Sequence, residues 1–239
     1  RGYSSKYPEN TMVAFQAAVT AGAHMIELDV GLSKDRRLIV IHDDTVDRTT
    51  NGSGAVCALT LEQLSRLDAG SWFDAEFSTE RIPTLNQVLE ALKGRLLVNI
   101  EIKPEAFEAR PPPDAIERQI LDLVHATHMA AHVLISSFKW RMLERIRILD
   151  ATIALGLLSE GPGDDRLHRW YQRIGGYSWH PDYRVVTKSQ VDALHRLGAR
   201  VFPYAVDGEI DVCGMLAMHV DGLILDDPLQ MQSARHRPG

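Results

Sequence analysis

Glu27-Leu28-Asp29 sets two carboxylates two positions apart inside the aliphatic run Met25-Ile26-Glu27-Leu28-Asp29-Val30. On a strand that spacing sends both acids to one face and Ile26, Leu28 and Val30 to the other. Asn99-Ile100-Glu101-Ile102-Lys103 repeats the arrangement, with an acid and a base on one face and isoleucines behind. Carboxylates buried without partners are too costly to place in such runs casually. A divalent cation resolves the conflict, with Glu27, Asp29 and Glu101 as hard oxygen ligands and water completing the shell. Mg2+ and Ca2+ fit equally, with Mn2+ a further candidate, because spacing does not fix cavity size. The plainer reading is a solvated acidic pair and a local Glu-Lys ion pair. Two such departures, joined by His42 at the end of another strand candidate, favour a polar catalytic mouth.

Lys103 and Arg1 suit an anionic substrate. A guanidinium grips two phosphate oxygens at once, while an ammonium supplies a compact charge. His42 is the proton-transfer candidate, since imidazole titrates near neutral pH. His180, after Tyr177-Ser178-Trp179, is a further candidate to line the site, whereas histidines such as His24, His125 and His195 read as surface or core residues.

These side chains need strands to carry them and helices to cover the strands. Asn10-Thr11 opens a helix through Phe15 and Val19 that stops at Gly22. Thr84 with Gln87, Asp114 with Glu117, and Thr187 with Gln190 have capping-box spacing and predict three more helix starts. Strand candidates lie at 25–30, 37–42, 96–103, 132–137, 153–158, 200–206 and 220–225, with Pro203 weakening the sixth. An eighth is expected before Arg1. Aliphatic strands alternating with helices predict a parallel sheet covered by helices, and the absence of a linker favours a closed α/β barrel over an open sheet. One domain is expected over residues 1–239, with a capping insertion at approximately 44–82 that contains Asn51-Gly52-Ser53-Gly54 and a helix start at Thr60 to Gln63.

The 239 residues carry 26 basic and 32 acidic side chains, a net charge of -6, which gives no support to a nucleic-acid backbone binder. No run approaches the roughly 18 apolar residues of a membrane span, and no basic start leads into an apolar signal core. Two cysteines, Cys57 and Cys213, are too few for a disulfide framework and fit a reducing compartment. A cytoplasmic location is expected, without stable membrane insertion. Monomer and homodimer both stay open.

Ordered motifs then carry a resemblance along nearly the whole chain. Arg1-Gly2, Pro8-Glu9-Asn10-Thr11, Glu27-Leu28-Asp29-Val30, His42-Asp43-Asp44 and Arg48-Thr49-Thr50-Asn51-Gly52 come first. Asp68-Ala69-Gly70-Ser71-Trp72-Phe73, Ile82-Pro83-Thr84-Leu85, Asn99 to Lys103, Ser136-Ser137-Phe138 and Val220-Asp221-Gly222 through Asp226-Asp227-Pro228 follow. The set resembles the glycerophosphodiester phosphodiesterase family, and in particular its small bacterial cytosolic members. The resemblance implies a TIM-type (β/α)8 barrel with a small insertion after the second strand. It implies Glu27, Asp29 and Glu101 as metal ligands, Arg1 and Lys103 as phosphate contacts, and His42 as one of two catalytic histidines. The other histidine is expected immediately before Arg1.

Two departures stand out. Asp35-Arg36 occupies a turn where the family often has Asp-Gly, and Tyr204-Ala205-Val206 stands where it often has Trp-Thr-Val. Tyr204, Phe138 and Trp179 are candidate aromatic walls of the substrate pocket, or seals of the barrel. The implied activity is metal-dependent hydrolysis of glycerophosphodiesters, such as glycerophosphocholine or glycerophosphoethanolamine, to glycerol 3-phosphate and an alcohol. Alternatives are phospholipase D-like or C-like hydrolysis of a lysophospholipid, and binding of a phosphorylated metabolite without turnover.

Overall fold

The structure, a computed structural model, describes residues 1–231. The chain divides into two compact units, residues 1–134 and residues from 135 onward.

The first unit begins with α1 (Met12–Thr20), capped where the Thr11 hydroxyl accepts the Ala14 N–H, and it buries Ala14, Phe15 and Ala18. Then come β1 (Met25–Leu32) and, after the turn at 33–37, β2 (Leu38–Val40). β2 runs antiparallel to β1, with Val30 opposite Val40 and Leu32 opposite Leu38. The all-parallel expectation is therefore corrected at this strand, and the physical reason is the connection itself. A parallel crossover needs about a dozen residues or more, so so short a link can only make a hairpin. On the other side β1 pairs in parallel with β3 (Leu97–Ile102).

Between β2 and β3, residues 44–82 gather around an apolar cluster of Ile39, Ile41, Val46, Val56, Leu64, Ala69 and Ile82. Short α2 (Leu61–Leu64) starts on the Thr60–Gln63 capping box. A Cβ at Gly70 would sit 2.0 Å from the Phe77 carbonyl oxygen, so the turn there closes only around glycine. α3 (Leu85–Leu92) starts on the expected Thr84–Gln87 box and buries Leu85, Val88, Leu89 and Leu92. The Asp114–Glu117 box does not form. Ala115 occupies the cap of α4 (Ile116–Ala126) without a side-chain bond. Asp114 instead accepts Arg36 Nε at 2.7 Å, and Glu117 is buried.

β4 (Val133–Ser137) spans the division between the units. In the second unit α5 (Trp140–Leu149), β5 (Ala154–Ser159), α6 (Asp165–Ile174), β6 (Ser178–Pro181), α7 (Lys188–Arg196), β7 (Arg200–Val201) and α8 (Glu209–Ala217) follow. β5, β6 and β7 pair in parallel, and α7 opens on the expected Thr187–Gln190 box. β6 has no clear sequence signature, being four residues with a serine, a histidine and a terminal proline. β7 is shorter than the expected 200–206, and 220–225 is not a regular strand. The two segments still touch through Asp221 N–H to Val201 O at 3.0 Å and Ile224 N–H to Pro203 O at 2.9 Å. Pro203 has no N–H to donate, which breaks the alternating ladder a strand requires.

Candidate active site

The β1–β3 register builds the acidic cluster. Asp29 is paired with Glu101 and Glu27 with Asn99 on adjacent parallel strands, so the three acids share one face within one pleat repeat. One carboxylate oxygen from each of Glu27, Asp29 and Glu101 lies within 4.8 Å of the others. Asp29 is 1% and Glu101 8% exposed. Behind them Ile26, Leu28, Val30, Ile100 and Ile102 are buried, as the alternation requires.

Basic groups and an amide neutralise part of this charge. Lys103 Nζ lies 3.4 Å from Asp29 Oδ1 and 3.3 Å from Glu101 Oε1. Arg1 Nε stands 3.4 Å from Asp29 Oδ2. Asn10, held at a left-handed φ of 56°, donates its side-chain amide to Asp29 Oδ2 at 2.9 Å. Burial alone would raise Asp29, but Lys103, Arg1 and His42 outweigh it and hold the carboxyl below its ordinary value. Glu101 goes the other way, pushed up to about 8 by burial and by the Asp29 charge. Burial also raises Glu27. Burial lowers Lys103, but Glu101 and Asp29 reverse the sign and keep it charged.

Two buried acids and the half-buried Glu27, with Glu27 and Glu101 driven toward protonation by lack of solvent and by the Asp29 charge, form a donor set that a dication would relieve. The hard oxygen chemistry and the spacing both fit such an ion. The family-implied ligands are thus brought together.

His42 follows β2, whose continuation is tied to β1 by the Ile41 N–H bonded to the Asp29 carbonyl at 3.0 Å. Its Nδ1 lies 2.6 Å from Asp43 Oδ1. A neutral ring engaged this way carries its proton on Nδ1 and leaves Nε2 as the base. Asp43 is gripped by Arg48, through Nε at 2.7 Å and Nη2 at 2.9 Å, and Arg48 also spans both oxygens of Glu9 at 2.8 and 2.9 Å. Glu9 in turn meets Arg1 Nη1 at 3.3 Å. A cavity of about 280 Å³ opens beside His42 and Lys103, with Lys34, Asp44, Cys57 and Glu105 also on its wall.

Glu9, Asn10, Asp43 and Arg48 were not singled out as functional by residue type. The signal available was their place inside the motifs at 8–11, 42–44 and 48–52. Among the residues expected to touch substrate, Phe138 and Tyr204 are half-buried and meet edge to face at 5.9 Å in the second unit. Trp179 and His180 lie in its interior, at 0% and 1% exposure, and present no surface to a substrate. Trp179 donates Nε1–H to Ser159 Oγ at 2.9 Å, which makes it a seal rather than a wall. His180 bonds Ser178 Oγ at 2.8 Å and packs on Phe202, and burial lowers its pKa to about 3. It stays neutral near neutral pH and is ill suited to contact an anion.

The model of the glycerophosphoryl diester phosphodiesterase family matches residues 1–230. The chain belongs to that family. It is 40% identical over 231 residues to a glycerophosphodiester phosphodiesterase of Caldanaerobacter subterraneus, covering 95% of this chain and 92% of that one. A Bacillus altitudinis glycerophosphodiester phosphodiesterase is 37% identical, with 95% and 93% coverage. Among solved structures it is similar to an Oleispira antarctica phosphodiesterase in complex with the product sn-glycerol-3-phosphate, at TM-score 0.87 and 27% identity over 99% of this chain and 95% of that chain. The fold is the family's TIM-type (β/α)8 barrel, and the activity class is glycerophosphodiester hydrolysis. No helix among the described residues is long and apolar enough to cross a membrane.

Proposed function

We propose that this family member hydrolyses small glycerophosphodiesters to glycerol 3-phosphate and an alcohol, with Glu27, Asp29 and Glu101 holding one divalent cation, Mg2+ or Ca2+. The observation that carries the reading is the convergence of three carboxylates, two of them buried, with Lys103 and Arg1 beside them. A dication bound there would act as a Lewis acid on the phosphoryl group and stabilise the charge that develops on it.

The chain's own residues supply the rest. Arg1 and Lys103 bring positive charge to the phosphate oxygens, and the low exposure of Lys103 makes its charge effective. His42 Nε2 takes a proton from the attacking hydroxyl. Attack by the substrate's own glycerol 2-hydroxyl suits this arrangement, because no separate nucleophile has to be captured. The resulting cyclic phosphate is then opened by water. His42 and the second catalytic histidine that the resemblance implies would exchange the general-base and general-acid roles. Two free, exposed thiols support a reducing, cytoplasmic setting for this chemistry.

The test is glycerol 3-phosphate release with Mg2+, Ca2+, Mn2+ or chelator. Glu27→Ala should abolish cation-supported turnover. His42→Ala should keep cation binding and lose about 10²–10⁴-fold in rate. Turnover preserved in both variants refutes the assignment. A second reading, lysophospholipid hydrolysis, has one observation in its favour: Trp72 and Phe73 stand 38% and 36% exposed on the 44–82 segment. Their rings meet edge to face at 5.7 Å. Faster cleavage of lysophosphatidylcholine than of glycerophosphocholine would move the substrate assignment to the lipid.

A further inference from the structure

We propose that Arg48 is a positioning residue, which fixes the catalytic imidazole by clamping Asp43 against an anchor at Glu9. The proposal rests on His42 serving as the proton-transfer group in the reading above. Arg48 uses two edges of its guanidinium. Nε and Nη2 take both oxygens of Asp43 at 2.7 and 2.9 Å, while Nη1 and Nη2 take both oxygens of Glu9 at 2.8 and 2.9 Å. The Glu9 side chain is only 9% exposed and is held again by Arg1 at 3.3 Å, so it is a fixed post rather than a mobile surface acid. Asp43, so clamped, presents Oδ1 to His42 Nδ1 at 2.6 Å.

Each joint in this chain is bidentate or short, and that is what transmits position. An aspartate next in sequence to a histidine can reach the ring unaided, but its carboxylate then turns freely about its last torsion. A forked pair fixes the carboxylate plane as well as its place. The bond to Arg48 is also the chief reason Asp43 stays ionised well below the usual carboxylate range. An ion pair whose arginine is 45% exposed adds little to stability. Its effect belongs to the geometry of the ring, where a displacement near 1 Å costs about 10²-fold in rate.

The experiment compares R48Q, R48K, D43N and the R48Q/D43N double variant in steady-state hydrolysis of glycerophosphocholine. Imidazole 15N shifts of His42 are recorded on the same proteins. R48Q should lower kcat by about 10–100-fold while KM stays within about threefold, since Arg48 reaches the phosphate-binding Arg1 only through Glu9. R48K should not restore the rate, because a point charge does not span two carboxylates. If Arg48 acts through Asp43, the double variant should be no slower than D43N alone. The 15N shifts should move from one fixed Nδ1–H tautomer to a mixture in R48Q and D43N alike. Full kcat in R48Q, or losses that multiply in the double variant, overturns the proposal. Should R48Q fold poorly, R48K, which keeps the charge but cannot span both carboxylates, is combined with D43N and read against the same two outcomes. A wild-type protein inactive on every glycerophosphodiester would sink the substrate reading instead, and the His42 tautomer would still report on Arg48.

Discussion

Glu101 should make the cation-free protein less stable as pH rises, and Glu101→Gln should remove that loss. Its carboxyl is pushed up to about 8 from an ordinary 4.5, by burial and by Asp29. A carboxyl whose folded-state pKa lies above its unfolded value binds its proton more tightly when folded. Its stabilising contribution is complete below 4.5 and is lost as pH climbs toward 8. At about 1.4 kcal/mol per pH unit, the loss between the unfolded pKa and about pH 7 is roughly 3 kcal/mol. Glutamine keeps the shape and carries no charge, although it weakens the bond from Lys103, worth about 1 kcal/mol. Lys103 retains Asp29 as a partner.

Urea denaturation in chelator should therefore find E101Q more stable than wild type by about 2 kcal/mol at about pH 7, with the advantage gone near the unfolded pKa. Saturating divalent cation should reverse the order, because the wild type gains about 2.7 kcal/mol at a hundred times its Kd and the variant far less. Titrating groups remote from Glu101 are common to both proteins and cancel in the difference. An E101Q variant less stable than wild type in chelator at about pH 7 would refute the reasoning.

Three further outcomes follow from the same structure. Cation binding at about pH 7 should release protons, since Glu101 must ionise to become a ligand; calorimetry in buffers of different ionisation enthalpy measures this, and proton-neutral binding would contradict the buried-acid account. Gly70→Ala should destabilise the 44–82 segment by about 2–3 kcal/mol, because its methyl meets the Phe77 carbonyl at 2.0 Å and backbone must move; an unchanged urea midpoint would show that the turn yields. Arg36→Gly should change global stability by less than about 1 kcal/mol, as relief of a left-handed φ offsets lost surface ion pairs. The same change should expose residues 104–114 to protease, since Arg36 holds Glu108 and Asp114; unaltered cleavage there would count against that tether.

How much of this was legible in the sequence depends on how far each interaction reaches. The Thr84–Gln87 and Thr187–Gln190 boxes formed as read, because side chain and amide are three residues apart and little else competes. Asp114–Glu117 has the same spacing and failed, because Arg36, far away in sequence, took the aspartate. Strand periodicity placed Glu27 and Asp29 on one face. Their meeting with Glu101 required the β1–β3 register, which no local pattern contains. β2 showed the reverse: the short turn at 33–37 already excluded a parallel crossover, and the aliphatic run 37–42 masked that signal. Trp179 and His180 read as site residues through aromatic and imidazole chemistry, yet the polar strand β6 carries them into the interior.

Charge explains why the acidic cluster cannot be separated from its surroundings. Glu27, Asp29 and Glu101 carry three negative charges when ionised, and the Arg1 and Lys103 side chains return two. Fully ionised, the cluster alone is net negative by one; with a dication it becomes net positive by one, the charge a phosphodiester monoanion neutralises. Outside it, Glu9 and Asp43 hold two negative charges against the one on Arg48. That remaining negative charge faces His42 Nδ1 at 2.6 Å, so a ring that takes up a proton during the reaction finds its counter-charge already oriented. The inner cluster answers the charge of the substrate and the outer one the charge that appears on the base. Arg1, which touches Glu9 on one side and Asp29 on the other, is where the two meet.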